Sequence, residues 1–160
     1  MKKLIYTLLI IIALTNNSFS AGDSNTTAKA SDYTKAKNLI NAAKKYEKKG
    51  KIDKAQERYA KAQKLLLKSN EIKPLQADTL NYLGFTTRKL GDFEGGEKFY
   101  LQGLEIEPNH NGINEYLGEL YVATNRMDMA KERLEVLKTC NCEEFNELKE
   151  IIEGTTKSKY

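Results

Sequence analysis

The sequence is short of the residues that build several common kinds of protein. Its 160 residues include no Trp, 2 Pro, 2 Cys and 1 His. Two cysteines cannot hold so long a chain together, so a disulfide-dense mini-protein is excluded. The low Pro content excludes a collagen-like chain, and a single His excludes a site built from several histidines. No apolar run reaches the ~20 residues that a membrane-spanning helix needs.

The chain nevertheless has the size and composition of one globular domain. It is 40% hydrophobic and 30% charged, which is enough apolar side chain for a substantial core. Strand-like alternation of β-branched residues is absent, and Pro74 and Pro108 are the only prolines. These features favour an all-α fold from Ser31 onward.

The first twenty residues have the order of a secretory signal peptide. Lys2 and Lys3 precede an uncharged run over 4–14, and small residues at Ser18 and Ser20 follow. We therefore expect cleavage after Ser20, a polar leader over 21–31, and export to a bacterial periplasm. The mature chain would have no stable membrane insertion.

The charges of the mature chain are nearly balanced, but they are unevenly distributed. Residues 21–160 carry 24 Lys/Arg and 22 Asp/Glu, and so small an excess argues against nucleic acid as a partner. Residues 21–76 have a net charge of +8, whereas 77–160 have −6. Solvated helix faces explain this pattern most simply, and self-association of a structural subunit through its two halves is an alternative.

A pattern of small and large residues repeats along the chain. Leu83-Gly84 recurs at Leu117-Gly118, and the period of 34 residues holds at several other positions. A weaker copy upstream is offset by 41 residues, and the extra seven predict a longer second helix through Ala62–Asn70. Gly50, Gly91 and Asn125 suit the left-handed end of a first helix. Asp92 suits the cap of the helix that follows.

Residues 81–109, with N-Y-L-G-F, L-G-D-F and E-I-E-P-N, resemble a tetratricopeptide repeat (TPR). The resemblance implies an all-α, short right-handed solenoid of about three helix pairs over 32–153, with repeats at about 36–69, 77–110 and 111–139. An amphipathic capping helix over 142–153 and a tail over 154–160 complete the predicted organisation.

The resemblance also implies a non-enzymatic adaptor that binds a protein or peptide in its concave groove. The first helix of each pair would line that groove. The residues at the groove positions that we select as binding candidates are Asn81, Phe85, Arg88, Lys89, Glu115 and Glu119. The weaker upstream copy of the repeat would supply Lys37, Ile40, Lys44, Glu47 and Lys48 at the corresponding positions.

Cys140 and Cys142 are the sharpest local feature, and their role stays open. They suit a disulfide or plain turn before the capping helix, a thiol–disulfide redox pair, or a metal site for which only His110 could add a ligand. His110 itself is typical of a turn or cap residue. No catalytic residues, metal site or cofactor are predicted.

Overall fold

The computed structural model describes residues 31–156. The predicted signal peptide, almost all of the predicted leader, and tail residues 157–160 lie outside the described residues. The described part contains seven α-helices and no strand: α1 (Asp32–Lys48), α2 (Ile52–Ile72), α3 (Ala77–Lys89), α4 (Phe93–Ile106), α5 (Asn111–Ala123), α6 (Met127–Leu137) and α7 (Glu143–Ile152).

Consecutive helices form three pairs: α1 with α2, α3 with α4, and α5 with α6. The first helices α1, α3 and α5 also contact one another in order, and α7 packs on α5 and α6. Apolar side chains between these layers form the core, with Tyr59, Leu83, Tyr100 and Leu117 fully buried. The predicted all-α helical-repeat solenoid is confirmed. None of the described helices is long and apolar enough to cross a membrane.

The turn inside each pair has the same construction. Gly50, Gly91 and Asn125 have φ values of 68°, 96° and 58°, as their positions in the repeat predict. At the start of α4 the Asp92 carboxylate accepts a hydrogen bond from Gly95 N at 2.8 Å, so the predicted cap is confirmed. These short turns return the chain beside itself and position the next helix.

Small residues allow the helices of the second pair to approach closely. A Cβ on Gly96 would lie 3.0 Å from the backbone oxygen of Gly84, and a Cβ on Gly84 would lie 2.5 Å from the buried Tyr100 ring. The equivalent Gly118 differs, because a Cβ there would meet Leu148 of α7. The space at Gly118 therefore admits the last helix rather than the second helix of its own pair.

The first pair has a longer second helix. Helix α2 has 21 residues and α4 has 14, so the predicted lengthening by seven residues is confirmed. A loop over 73–76 then leads to α3, and Leu75 in it has a φ of 58°. A positive φ is costly for a side chain as large as leucine. No pattern in the sequence predicts this loop conformation.

Candidate functional site

Two open clefts adjoin where the first helices begin. Cleft one has a volume of about 590 Å³ between α1, the end of α2 and the start of α3, and cleft two has about 400 Å³ between α3, α5 and α7. Asp78 lines both clefts. Asp78 is therefore where the two clefts adjoin, and the pair of clefts at the starts of α1, α3 and α5 is called the groove. Cleft one is also lined by Asp32, Tyr33, Lys35, Lys68, Ile72 and Lys73, and cleft two by Asn81, Tyr82, Glu107, His110, Glu115, Tyr116 and Glu144.

Aromatic rings lie along this groove. The rings of Tyr33 and Tyr82 meet edge to face at 5.9 Å between centroids, and Lys37 Nζ lies 5.5 and 5.7 Å from the two centroids. Tyr116 follows Tyr82 by 34 residues and lines cleft two with it. These three tyrosines were not predicted as site residues. The recurrence of tyrosine at the repeat period was the signal that could have found two of them.

Electrostatics differ between the two clefts. Lys68 and Lys35 lie 2.9 and 3.2 Å from the carboxylate of Asp32, and they hold the pKa of that carboxyl below its ordinary value. Lys73 adds a third cation to the lining of cleft one, which also contains Asp32 and Asp78. Among residues 31–156, cleft two is lined by four acidic residues and by no Lys or Arg. The described lining is therefore nearly balanced in charge at one end of the groove and acidic at the other.

His110 caps α5 and fixes the edge of cleft two. Its Nδ1 accepts a hydrogen bond from Ile113 N at 3.2 Å, so its expected role as a cap residue is confirmed. Its Nε2 lies 3.4 Å from the Asp78 carboxylate. His110 therefore joins the start of α5 to the start of α3.

A buried charged layer lies behind the groove. Arg88 Nη2 is 3.4 Å from the Glu119 carboxylate, and both side chains are fully buried. Arg88 Nη1 also donates to the backbone oxygen of Tyr116 at 2.6 Å. The Arg88 guanidinium lies 5.7 Å from the ring centroid of Tyr100. This layer joins α3 to α5.

Similar contacts join α3 to the first pair. Lys89 Nζ lies 2.6 Å from the Glu47 carboxylate, which also accepts a hydrogen bond from Tyr59 OH at 2.8 Å. The ring of Phe85 packs against Tyr59 at 5.7 Å, and Lys44 Nζ lies 4.7 Å from the Phe85 centroid. Burial is the largest cause that raises the pKa of Tyr59, and it likewise raises the pKa of Tyr100 and Tyr116.

The six predicted groove residues are therefore divided among different surroundings. Asn81 and Glu115 line cleft two. Arg88 and Lys89 line a third cleft of about 460 Å³ at the opposite ends of the first helices, where Phe93 also lies. Phe85 and Glu119 line none of these three clefts, because they pack between helices.

The two cysteines form a disulfide in the turn between α6 and α7. Cys142 is the N-cap residue of α7, and its side chain makes no capping hydrogen bond. Within residues 31–156, no three side chains of His, Cys, Asp or Glu are grouped so that they could hold a metal ion. Thiol–disulfide activity of this pair stays a prediction.

The second helix pair is recognised by comparison with known families. Residues 77–110 match the family model of the tetratricopeptide repeat. This TPR match spans α3 and α4, the pair that supplies Asp78, Asn81 and Tyr82 to the groove. No curated protein matches the chain.

Solved TPR domains resemble the chain at low sequence identity. The first TPR of Spaghetti (RPAP3) bound to an HSP90 peptide is 23% identical over 78% of this chain and 96% of that one, with a TM-score of 0.48. The first TPR domain of human RPAP3 is 23% identical over 78% and 94%, also with a TM-score of 0.48. The Arabidopsis OM64 TPR domain is 12% identical over 78% and 99%, with a TM-score of 0.49.

Proposed function

We propose that the protein is a non-enzymatic periplasmic TPR adaptor that binds a protein or peptide along the groove formed by clefts one and two. One observation carries the proposal: two open clefts share Asp78 and run across the starts of the three first helices. The TPR match at residues 77–110 supports it, because that repeat supplies the centre of the groove.

The site differs from the one that the repeat positions alone predict. Phe85, Arg88 and Glu119 are buried in the layer behind the groove, so a partner would not touch them directly. Substituting them would change folding stability and would not report on binding alone. The surface offered to a partner instead consists of Tyr33, Tyr82 and the charged residues around Asp78.

Asp78 allows a test with a matched control. It is 71% exposed and is the second residue of α3, so Asp78→Lys reverses a charge in the groove outside the core, and it also removes the 3.4 Å contact with His110. Asp128 is also exposed and is the second residue of α6, outside both clefts. Asp128→Lys thus makes the same change of charge at the same helix position elsewhere.

The full chain and both variants would be used for affinity capture from the envelope fraction of the source cells. We expect one set of captured proteins to be retained by Asp128→Lys and lost with Asp78→Lys. Equal capture by the two variants would contradict binding in this groove. Circular dichroism of each variant controls for folding.

Export is a separate part of the proposal and rests on the signal-like order of residues 1–20. Cell fractionation with N-terminal sequencing tests it. We expect the periplasmic fraction to contain a chain that begins at Ala21. A chain that keeps Met1 and remains in the cytosol would refute it.

A further inference from the structure

The turn inside the first helix pair carries a cluster of lysines. Around the end of α1 and the start of α2, five of them are exposed: Lys45, Lys48, Lys49, Lys51 and Lys54. Within residues 31–156 none of the five forms an ion pair. Together these five residues form the lysine tip of the solenoid.

The acidic residues of the same segment offset little of this charge. Glu47 and Asp53 are the two acids within residues 45–54. The Glu47 carboxylate lies 2.6 Å from Lys89 Nζ and accepts a hydrogen bond from Tyr59 OH at 2.8 Å, so a cation of α3 already balances it. Asp53 is exposed and offsets one lysine. A clear excess of positive charge remains at the tip.

The repeat itself does not require these lysines. The five corresponding positions hold one cation in the second pair, Lys89, and one in the third pair, Arg126. Each of those two cations is paired with a carboxylate, that of Glu47 or of Glu97. The excess of lysine is therefore a property of the first pair and not a requirement of the fold.

An exposed apolar side chain within the tip is a second and independent observation. Ile52 is the first residue of α2 and is 53% exposed. Phe93 has the same position in α4, is 38% exposed, and stands between Asp92 and Glu94 in the sequence. Of these two positions, only that of Ile52 lies among lysines. Cations beside an exposed apolar side chain suit the interface of an anionic bilayer, where phosphates attract the cations and the apolar group enters the boundary of the acyl chains.

The shape of the tip favours a flat partner. None of its lysines lines any of the three clefts. Small ligands are held in concave sites, whereas a turn at the end of a helix pair can approach a flat surface. Lysine is a hydrated point charge without the fixed fork that recognises a single carboxylate, and this suits a surface with many phosphates. A nucleic acid also has phosphates, but it offers no acyl layer to Ile52.

We infer that the lysine tip binds the surface of a bilayer that contains anionic phospholipid, with Ile52 in the interfacial region. This inference goes beyond the proposed function and does not depend on it. The tip lies at the end of α1, whereas the groove lies at the start of α1, so a protein held on a membrane in this way would keep its groove accessible.

Vesicle binding tests the inference. The protein would be purified in the form that the source cells produce and mixed with vesicles of phosphatidylcholine, with or without one third of phosphatidylglycerol. Cosedimentation at about 0.1 M salt gives the two partition coefficients. Their ratio, anionic over neutral, cancels any binding that is due to an apolar segment alone. We expect a ratio of about 100 or more, which falls as the salt concentration rises.

The variant Lys48→Gln/Lys51→Gln removes two charges from the tip. Its control is Lys131→Gln/Lys138→Gln, which makes the same change of net charge at exposed positions in α6 and directly after it. Each lysine near an anionic surface contributes about fivefold to binding. We therefore expect the ratio to fall about 25-fold in the first variant and to stay unchanged in the control.

The apolar contact is tested in the same assay. Ile52→Ser should weaken binding to anionic vesicles about fivefold, because a half-exposed apolar side chain no longer leaves water. Phe93→Ser makes a similar change at the same position of the second pair and should have no effect on binding. Circular dichroism would verify that all four variants keep their helices.

The other outcomes would overturn the inference. These are a ratio near one, an equal loss in the lysine variant and its control, or an equal effect of Ile52→Ser and Phe93→Ser. Binding of a DNA duplex that depends on Lys48 and Lys51, without any preference for anionic vesicles, would assign the tip to nucleic acid instead. Failure in any of these ways leaves the proposed groove standing, because the comparison of Asp78→Lys with Asp128→Lys tests it separately.

Discussion

Replacing Arg88 with methionine should remove a large share of the folding stability. The Arg88→Met change keeps most of the apolar stem but takes the guanidinium away from the fully buried Glu119 carboxylate and from the backbone oxygen of Tyr116. Removing one member of a buried ion pair costs about 3–5 kcal/mol. A domain is stable by only about 5–15 kcal/mol in total, so the loss should be conspicuous.

Arg126 provides the matched control. Its guanidinium makes two bonds to the Glu97 carboxylate, at 2.8 and 2.7 Å, but the two side chains are 35% and 19% exposed. Water can replace those contacts, so Arg126→Met should cost only about 1 kcal/mol. The shorter pair is thus expected to matter less than the longer one, because burial decides the cost.

Urea denaturation followed by far-ultraviolet circular dichroism measures both losses. The double variant Arg88→Met/Glu119→Leu should recover part of the stability, because both charges of this contact are then removed together. We expect a coupling free energy of about 2 kcal/mol or more between the two positions. Two results together would refute this reasoning: a cost of Arg88→Met no larger than that of Arg126→Met, and effects of Arg88→Met and Glu119→Leu that simply add. The buried ion pair would then not stabilise the fold.

Three further predictions follow from other contacts. Gly84→Ala should lower the free energy of unfolding by about 1–2 kcal/mol, because the clash with the buried Tyr100 ring outweighs the gain in helix propensity; an unchanged urea midpoint would contradict this. Asp92→Ala should cost about 1 kcal/mol through loss of the cap on Gly95 N, and Asp92→Asn should restore most of it. Burial raises the pKa of Tyr100 and Tyr116 in the folded state, so the stability from their neutral forms is complete below about pH 10 and is lost as the pH rises further. Tyrosinate absorbance should therefore show Tyr100 and Tyr116 ionising together with the loss of helix. Ionisation of these two tyrosines while the helices stay intact would refute this prediction.

The features that the sequence predicts well are those that depend on neighbouring residues. A left-handed turn needs Gly or Asn, and a helix start needs a short polar side chain, so Gly91, Asn125 and Asp92 could be located from local chemistry alone. The lengthened α2 followed from a count of residues between copies. These requirements are satisfied within one helix and its turn.

The candidate site was harder to predict because it depends on contacts between helices. Position in the repeat identifies the residues that face the inner side, but it does not show how far long side chains cover them. Tyr116 and Lys44 pack against Phe85, and Arg88 is paired with Glu119. The predicted groove residues Phe85, Arg88 and Glu119 are therefore buried between the helices. Cleft two depends on α7 as well, which lies outside the repeat pattern. Glu144 could not be placed there from spacing.

The seven residues added to α2 have an effect beyond the length of that helix. At 1.5 Å per residue they extend it by about 10 Å, close to two full turns, so the side chains keep the same direction. Lys68 and Ile72 belong to this extension, Lys73 follows directly after it, and all three line cleft one. Deleting seven residues there would restore the spacing of the other copies and remove the wall that the end of α2 gives to cleft one. A change that looks like irregularity in the repeat is therefore what makes this end of the solenoid chemically different from the rest.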